Sequence, residues 1–433
     1  MNSRISWSGF VGLAGLYGLA LCGWLSTAGA NIGLGMLLLG FVADRRAWRV
    51  LRQEPVAWLT VALVLYWVGR AAWGVLELPV NRHAQWDALG DWLYLTLFIP
   101  VAWWLGGDRR RLDRVWLLVA TGLIGGMLIY LMDPEHLQAL LDGERSGFQL
   151  RRPIAFGLYS GTVLLGLLML APRCWGDTGP GKFGRIALWL VAVLLLTQGM
   201  LATHSRGAWL AALLIVPLTL AVRYRSGFSV RVWRASWRAA LLATLALGVL
   251  VWMNEGTISK RLHEEPKVVQ AIASGDLASA PPSSISYRLR LWIFALEKWR
   301  ERPFMGWGPG NSEYLIVHSG RPEIHSAHIE YLDHMHNTYL ELLVGFGLCG
   351  TLLAFALALL LGKALCWSWR QGKLPSDYVI FLGGAFAFMG VWMFFDFRSL
   401  HHDWRFYWLM LAGSSYTFYL GRRLEPPASS TSR

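Results

Sequence analysis

Charged residues are scarce in this sequence. Only 15% of its 433 residues are charged, 55% are hydrophobic, and the mean hydropathy is +0.40. So little charge cannot cover the surface of a soluble protein of this length. The composition therefore excludes an ordinary soluble protein and predicts an all-α membrane protein that crosses the bilayer many times.

The hydrophobic runs are separated by short polar segments. Because a helix needs roughly 20 mostly apolar residues to cross the hydrocarbon core, we predict about twelve transmembrane helices, several of them short. They lie at residues 9–28, 29–43, 56–75, 92–106, 115–132, 153–171, 186–202, 208–222, 239–253, 338–362, 378–395 and 406–420. The first run resembles a signal peptide, but a second run follows at once, so we interpret it as an uncleaved helix.

Acidic residues are also few, with 27 Asp and Glu against 40 Lys and Arg and a formal charge of +13. A nucleic-acid partner would suit that balance, but the positions of the basic residues argue against one. With the N-terminus in the cytoplasm, most Lys and Arg fall in segments on the cytoplasmic side, as the positive-inside rule requires. Both termini are then cytoplasmic, and the one long polar loop is extracytoplasmic.

This topology divides the chain into four parts. Residues 1–253 hold predicted helices one to nine, 254–337 form the large periplasmic loop, 338–420 hold helices ten to twelve, and 421–433 are a cytoplasmic tail. The four cysteines all fall in predicted spans or cytoplasmic loops. We therefore expect no disulfide in the loop, although its side of the membrane is oxidising.

Helical signals recur inside the loop. We predict one helix near 259–274, a Pro/Ser linker at 279–284, and a second, amphipathic helix at 286–302. Ser286 is the expected N-cap and Pro303 the stop. The apolar residues Leu289, Trp292, Ile293, Leu296 and Trp299 share one face of this helix. A Gly-rich turn at 306–310 follows, then a short helix within 311–318.

Three residues at one predicted membrane face suit an anion and a proton transfer. Arg206 lies in a tight turn between two spans, and Arg288 lies in the first turn of the amphipathic helix, where the helix dipole favours an anion. His336 precedes the next span and can titrate near neutrality. Taken singly, each has a plain alternative: a lipid-headgroup anchor, an exposed helix residue, and a cap or core histidine.

The motifs around these residues resemble the O-antigen ligase and O-antigen polymerase superfamily. They are a His-Ser-Arg-Gly turn, an Arg-x-x-x-Trp helix, a Pro-x-x-Gly-x-Gly-x-Gly turn and a His-Asn-x-Tyr-Leu-Glu segment, within residues 203–343. The resemblance implies a fold like the type C glycosyltransferases, with no metal and no cofactor. It also implies that Arg206 and Arg288 bind the pyrophosphate of an undecaprenyl-linked glycan and that His336 is the catalytic base.

The expected function is that of an O-antigen ligase of the bacterial inner membrane, which transfers the glycan to lipid A–core oligosaccharide in the periplasm. The superfamily also suggests an O-antigen polymerase or a protein O-oligosaccharyltransferase, and a flippase for a lipid-linked anion is a weaker alternative. Possible secondary site residues are Arg290, His334, Asn337, Tyr339 and the intramembrane Arg70. Arg70 is equally consistent with a structural ion pair.

A metal site is a more specific alternative to a catalytic histidine at the end of the loop. Potential ligands gather there, namely His325, His328, Glu330, Asp333, His334 and His336. Such clusters are common by chance, and the resemblance implies no metal, so we predict none. The residues 401–403, His-His-Asp, are expected to be interfacial or to contact the acceptor.

Overall fold

The computed structural model describes residues 6–148, 152–175, 181–225, 283–321 and 334–424, together with 255, 256, 259 and 324. This part is helical, with two short 3-10 helices and no strand among the residues described, in agreement with the all-α prediction. Its α-helices are α1 (Trp7–Cys22), α2 (Thr27–Ala43), α3 (Arg45–Leu51), α4 (Pro55–Glu77), α5 (Arg82–Tyr94), α6 (Phe98–Leu105), α7 (Arg109–Leu131), α8 (Pro134–Leu141), α9 (Pro153–Met169), α10 (Ala171–Trp175), α11 (Lys182–Ala202), α12 (Arg206–Arg225), α13 (Ser284–Glu301), α14 (Ser312–Val317), α15 (Thr338–Arg370), α16 (Ser376–Trp392) and α17 (His402–Gly421).

Among the described residues, fewer helices than the predicted twelve are long and apolar enough to span a membrane. Six stretches of the described residues are long and apolar enough, and a seventh is obtained if α2 and α3, bent by 78°, count as one span. Helices α1, α9 and α16 are apolar but shorter. The fold is thus consistent with a polytopic membrane protein, whereas the number twelve is not confirmed. The predicted span 239–253 lies outside the described residues.

Helix α17 forms the centre of the bundle, and nearly every residue from Trp404 to Gly421 is buried. The C-terminal end of α17 is hydrogen-bonded to Glu54, which has a fully buried carboxylate. That carboxylate accepts hydrogen bonds from Tyr416 Oη at 2.7 Å and from Arg423 Nε at 3.0 Å. Because a buried charge needs such partners, the network fixes α17 against the start of α4.

Helix α15 is broken near its start, at Gly347, where φ is 60° and ψ is −165°. The break leaves the carbonyls of Val344 and Gly345 without helical donors, and the backbone N–H groups of Trp307 and Gly308 donate to them at 2.7 and 2.8 Å. The Gly-rich turn of the long loop is therefore built into the break. Irregular backbone at membrane depth is tolerated where it is satisfied by protein in this way.

Arg70 of α4 holds the same turn from the other side. It is 2% exposed, its Nε donates to the Met305 carbonyl at 2.9 Å, and its Nη2 donates to Gly306 at 2.7 Å and to Glu77 at 2.8 Å. Arg302 also forms an ion pair with Glu77. Arg70 is buried and the Glu77 side chain is 26% exposed, so these contacts are those of a half-buried ion pair that positions backbone, in line with the structural interpretation of Arg70.

The amphipathic loop helix is present as α13, with bounds close to the predicted 286–302. Its N-cap is Ser283 rather than Ser286, and the two serines form a capping box. A different apolar face is buried from the one read from the sequence: Tyr287, Leu291, Phe294 and Ala295 join a small core, whereas Ile293 is 48% exposed. The predicted helix at 259–274 and most of the linker lie outside the described residues.

Candidate functional site

His336 lies immediately before α15 in a left-handed backbone conformation, with φ of 49°. The next residue, Asn337, is the N-cap, and its side chain accepts hydrogen bonds from the N–H groups of Tyr339 at 3.0 Å and Leu340 at 3.1 Å. Asn337 thus ends the loop and starts the helix, as asparagine does at many N-caps. The backbone turns sharply at His336, directly before this cap. His336 is not a glycine, and its backbone lies in a sparsely populated region of φ/ψ space.

The start of α15 is hydrogen-bonded to the end of α16 and to the segment that follows it. Thr338 donates from its backbone N–H to the Met393 carbonyl at 2.9 Å and from its hydroxyl to the Asp396 carbonyl at 2.8 Å. Tyr339 Oη donates to the Gly390 carbonyl at 2.8 Å. These bonds bring the residues after Trp392 next to His336.

The imidazole of His336 pairs with the carboxylate of Asp396. His336 Nδ1 lies 3.3 Å from Asp396 Oδ1, and the Asp396 side chain is 9% exposed against 21% for His336. An ionised carboxylate can only accept a hydrogen bond, so Nδ1 must carry the proton. In the neutral ring the lone pair is then on Nε2, which can take a proton from another molecule.

The charge on Asp396 is stabilised by the groups around it. Burial by itself raises the pKa of this carboxyl, but the hydrogen bond from His336 and the positive charges of His334, His336 and Arg288 outweigh it and lower the pKa to about 2. Asp396 is therefore a carboxylate at any physiological pH. The same interactions bring Arg288, His334 and His336 around one buried charge.

His334 has the opposite proton arrangement from His336. Its Nδ1 accepts a hydrogen bond from the backbone N–H of His336 at 3.1 Å, and the two rings meet edge to face at 4.3 Å. With Nδ1 accepting, the neutral ring of His334 carries its proton on Nε2. The pair therefore offers one imidazole that accepts a proton and one that donates a hydrogen bond.

Glu341, in the first turn of α15, has a buried carboxylate that is hydrogen-bonded to two separate parts of the loop. Glu341 Oε2 accepts a hydrogen bond from the Met335 N–H at 3.0 Å, and its Oε1 is bonded to the Ser312 hydroxyl at the start of α14. Glu341 is 8% exposed. This contact ties the residue before His336 to the short helix that follows the Gly-rich turn.

Arg288 lies in the second turn of α13 and is partly buried. Its Nη1 donates to the Ser284 hydroxyl at 3.1 Å, and its charge acts on Asp396. Arg290, two residues further along, is also partly buried. The arginine that the resemblance implies, Arg288, is thus one whose charge reaches the His336–Asp396 pair.

Arg206 is the first residue of α12, beside a second left-handed histidine, His204, with φ of 50°. The next residue, Gly207, packs so closely on Phe395 that an added Cβ would lie 2.9 Å from the Phe395 Cβ. Phe395 directly precedes Asp396. The turn that carries Arg206 thus abuts the segment that carries Asp396, which brings the predicted site residues other than Arg70 to one end of the bundle.

Three donors in this region have the chemistry of a divalent-metal site. One ligand atom from each of His334, His336 and Asp396 lies within 4.8 Å of the others, and two imidazoles with a carboxylate suit zinc. The positive charge of Arg288 acts on the same carboxylate and opposes a cation there. The other potential ligands, His325, His328, Glu330 and Asp333, lie outside the described residues.

Asp396 is the site residue that sequence reasoning missed. The available signal was an Asp-Phe-Arg sequence directly after an apolar helix, on the membrane face predicted for His336. The sequence pattern favoured the nearby residues 401–403 instead. Asp403 is 3% exposed and accepts hydrogen bonds from Arg398 Nε and Tyr159 Oη, both at 3.0 Å. Asp403 is therefore part of a buried polar network, and the interfacial position expected for residues 401–403 stays a prediction.

Fold and site together define a class: an all-helical membrane protein in which a basic, histidine-bearing loop meets the ends of several helices. A family model described as O-Antigen ligase matches residues 191–355, less than half of the chain, and this range includes Arg206, Arg288 and His336. The match confirms the resemblance to the O-antigen ligase superfamily. Members of that family are glycosyltransferase-like enzymes of lipopolysaccharide biosynthesis. No curated protein matches the sequence.

Proposed function

We propose that this protein is an O-antigen ligase of the bacterial inner membrane. It transfers O-antigen polysaccharide from undecaprenyl pyrophosphate to a sugar hydroxyl of lipid A–core oligosaccharide, on the periplasmic side and without a metal or cofactor. The observation that carries the proposal is the His336–Asp396 pair within reach of the Arg288 charge. The family match over the same loop supports it.

His336 acts as the general base in this proposal. The acceptor is a neutral hydroxyl, which must lose its proton as it attacks the sugar. Asp396 fixes the proton of His336 on Nδ1, so Nε2 takes the proton from the acceptor. The carboxylate also stabilises the imidazolium that forms, because it remains ionised beside it.

Arg206 and Arg288 bind the leaving group. Undecaprenyl pyrophosphate already leaves readily, so the enzyme needs only to stabilise the charge that grows on the bridging phosphate. Two guanidinium groups can bind the pyrophosphate through paired hydrogen bonds. Losing one of them in a partly dry site is expected to slow transfer roughly 100-fold or more.

Direct attack opposite the pyrophosphate inverts the anomeric centre. A retaining route needs a carboxylate nucleophile at the sugar. The buried carboxylate next to His336 is already bonded to that imidazole, and the hydroxyl of the acceptor is the attacking group. A single displacement with inversion therefore suits the arrangement.

The test is transfer by the purified protein, with EDTA present, from undecaprenyl-pyrophosphate glycan to lipid A–core. Wild type is expected to form product and His336→Ala is not. His318→Ala is the matched control, because this loop histidine is exposed and stacks on Tyr314. Equal product from wild type and His336→Ala would remove His336 from the mechanism, and loss of wild-type product with EDTA would favour the metal alternative.

The same assay distinguishes the related activities. An O-antigen polymerase would lengthen the lipid-linked donor, and a protein O-oligosaccharyltransferase would move the glycan onto protein. Either product in place of modified lipid A–core would keep the superfamily and overturn the ligase assignment. Movement of the intact lipid-linked donor without bond cleavage would instead support a flippase.

A further inference from the structure

The segment 303–305 at the end of α13 forms a tip with two large exposed apolar side chains. Phe304 is 65% exposed and Met305 is 50% exposed. In the predicted topology they belong to an extracytoplasmic loop, where water would surround them. Adjacent large apolar side chains at a surface indicate that something other than water covers them.

The backbone of the tip is hydrogen-bonded to two candidate membrane spans. The Cys349 N–H of α15 donates to the Phe304 carbonyl at 3.1 Å, and Arg70 Nε of α4 donates to the Met305 carbonyl at 2.9 Å. Both helices are long and apolar enough to cross a bilayer. Since its carbonyls have protein donors, this non-helical segment can lie at membrane depth.

The contact with Arg70 indicates how deep in the membrane the tip lies. Arg70 lies seven residues before Glu77, the last residue of α4, which places it about 10 Å from the end of the helix at 1.5 Å per residue. The hydrocarbon core is about 30 Å thick, so this level falls within the extracytoplasmic leaflet. Arg302, just before the tip, contacts Glu77 and so lies at the height of the headgroups.

The tip also continues a lipid-facing stripe of α15. Cys349, Leu352, Phe355 and Leu359 are exposed at helical spacing, so they share one face of the span. The Phe304 carbonyl is bonded to the first member of this stripe. We propose that the tip is inserted into the extracytoplasmic leaflet, where Phe304 and Met305 contact lipid acyl chains and anchor the end of α13 at the membrane.

Spin labels test the insertion without any measurement of activity. Phe304→Cys, in a chain whose four native cysteines are replaced by serine, is labelled with a nitroxide and reconstituted in liposomes. Its collision rates with oxygen and with water-soluble nickel chelate are then compared with those of two controls. Leu352→Cys reports the lipid-facing stripe, and Glu313→Cys reports an exposed polar position in the same loop.

The label at 304 is expected to match that at 352, with strong oxygen and weak nickel collisions. A nickel accessibility equal to that at 313 would overturn the proposal. Met305→Cys provides a second label site should the first variant fold poorly. The spin-label measurement is independent of catalysis. A water-exposed label at 304 would therefore not argue against the proposed transferase function, and a negative transfer assay would not argue against insertion of the tip.

Discussion

Nδ1 of His336 lies 3.3 Å from Oδ1 of Asp396, although sixty positions of chain separate the two residues. The pair forms because the first residues of α15 are bonded to the end of α16 and to the segment that follows it. This single contact sets which ring nitrogen of His336 carries the proton.

Replacing the carboxylate should therefore slow the chemical step. Asp396→Asn removes the negative charge and no longer fixes the His336 proton, so kcat should fall by about 10²–10⁴-fold, the usual contribution of general-base catalysis. KM for the lipid-linked donor should change much less. Asp377→Asn is the matched control, because Asp377 pairs with Arg173 in the predicted cytoplasmic part of the protein. An unchanged kcat in Asp396→Asn would exclude the His336–Asp396 pair from the mechanism.

The same pair should contribute stability with a defined pH dependence. The pKa of Asp396 is lowered from an ordinary 3.8 to about 2, so its contribution is complete above about pH 4 and is lost as the pH falls toward 2. The shift corresponds to roughly 2 kcal/mol. Unfolding temperatures of wild type and Asp396→Asn should converge over this window. A gap that stays constant down to pH 2 would contradict the assignment.

The break in α15 predicts opposite effects for two glycines of one helix. An alanine at Gly347 would have a positive φ, and its Cβ would lie 2.3 Å from the Phe304 carbonyl. Gly347→Ala should therefore destabilise by about 2–5 kcal/mol. A Cβ added at Gly362 would have nothing within 4 Å, so Gly362→Ala should stabilise by about 0.5–1 kcal/mol. Unfolding temperatures in detergent would compare them, and equal effects would argue against the docked turn.

A double-mutant cycle can separate the two interpretations of Arg70. Arg70→Met leaves two backbone carbonyls without their donor, whereas Glu77 keeps Arg302 and Trp73 as partners, so the loss should be about 2–5 kcal/mol. In the Arg70→Met, Glu77→Gln double variant the loss should be clearly smaller than the sum of the single losses, because the two residues share one interaction. Additive losses would instead indicate that Arg70 acts apart from Glu77.

The described helix of the loop could be predicted because its signals are local. Proline at 303 ends α13 and serines begin it, so the helix bounds followed from the sequence to within two residues. The expectation that Arg206, Arg288 and His336 share a site rests on short motifs around each residue, and it stays a prediction. The choice of Ser283 over Ser286 as N-cap depended on backbone geometry that two equivalent serines cannot reveal.

The pairing of Asp396 with His336 could not be predicted because it arises only from tertiary packing. Nothing near residue 396 indicates a partner at 336, and apolar helices end in acidic residues for many reasons. The buried face of α13 escaped prediction similarly, since the helix has apolar residues on two faces. The small core around Leu291 and Phe294 decided which face packs.

The docked turn also has a consequence for the order of assembly. Residues 303–308 leave the ribosome before α15, yet their backbone partners are residues 344–349. A nascent chain that ends before α15 already contains Arg206 and Arg288, the arginines proposed to bind pyrophosphate, but it has no surface against which the turn can pack. The candidate site is thus completed only after residues 338–349 have been synthesised, so a shorter nascent chain has no assembled site for the proposed lipid-linked donor.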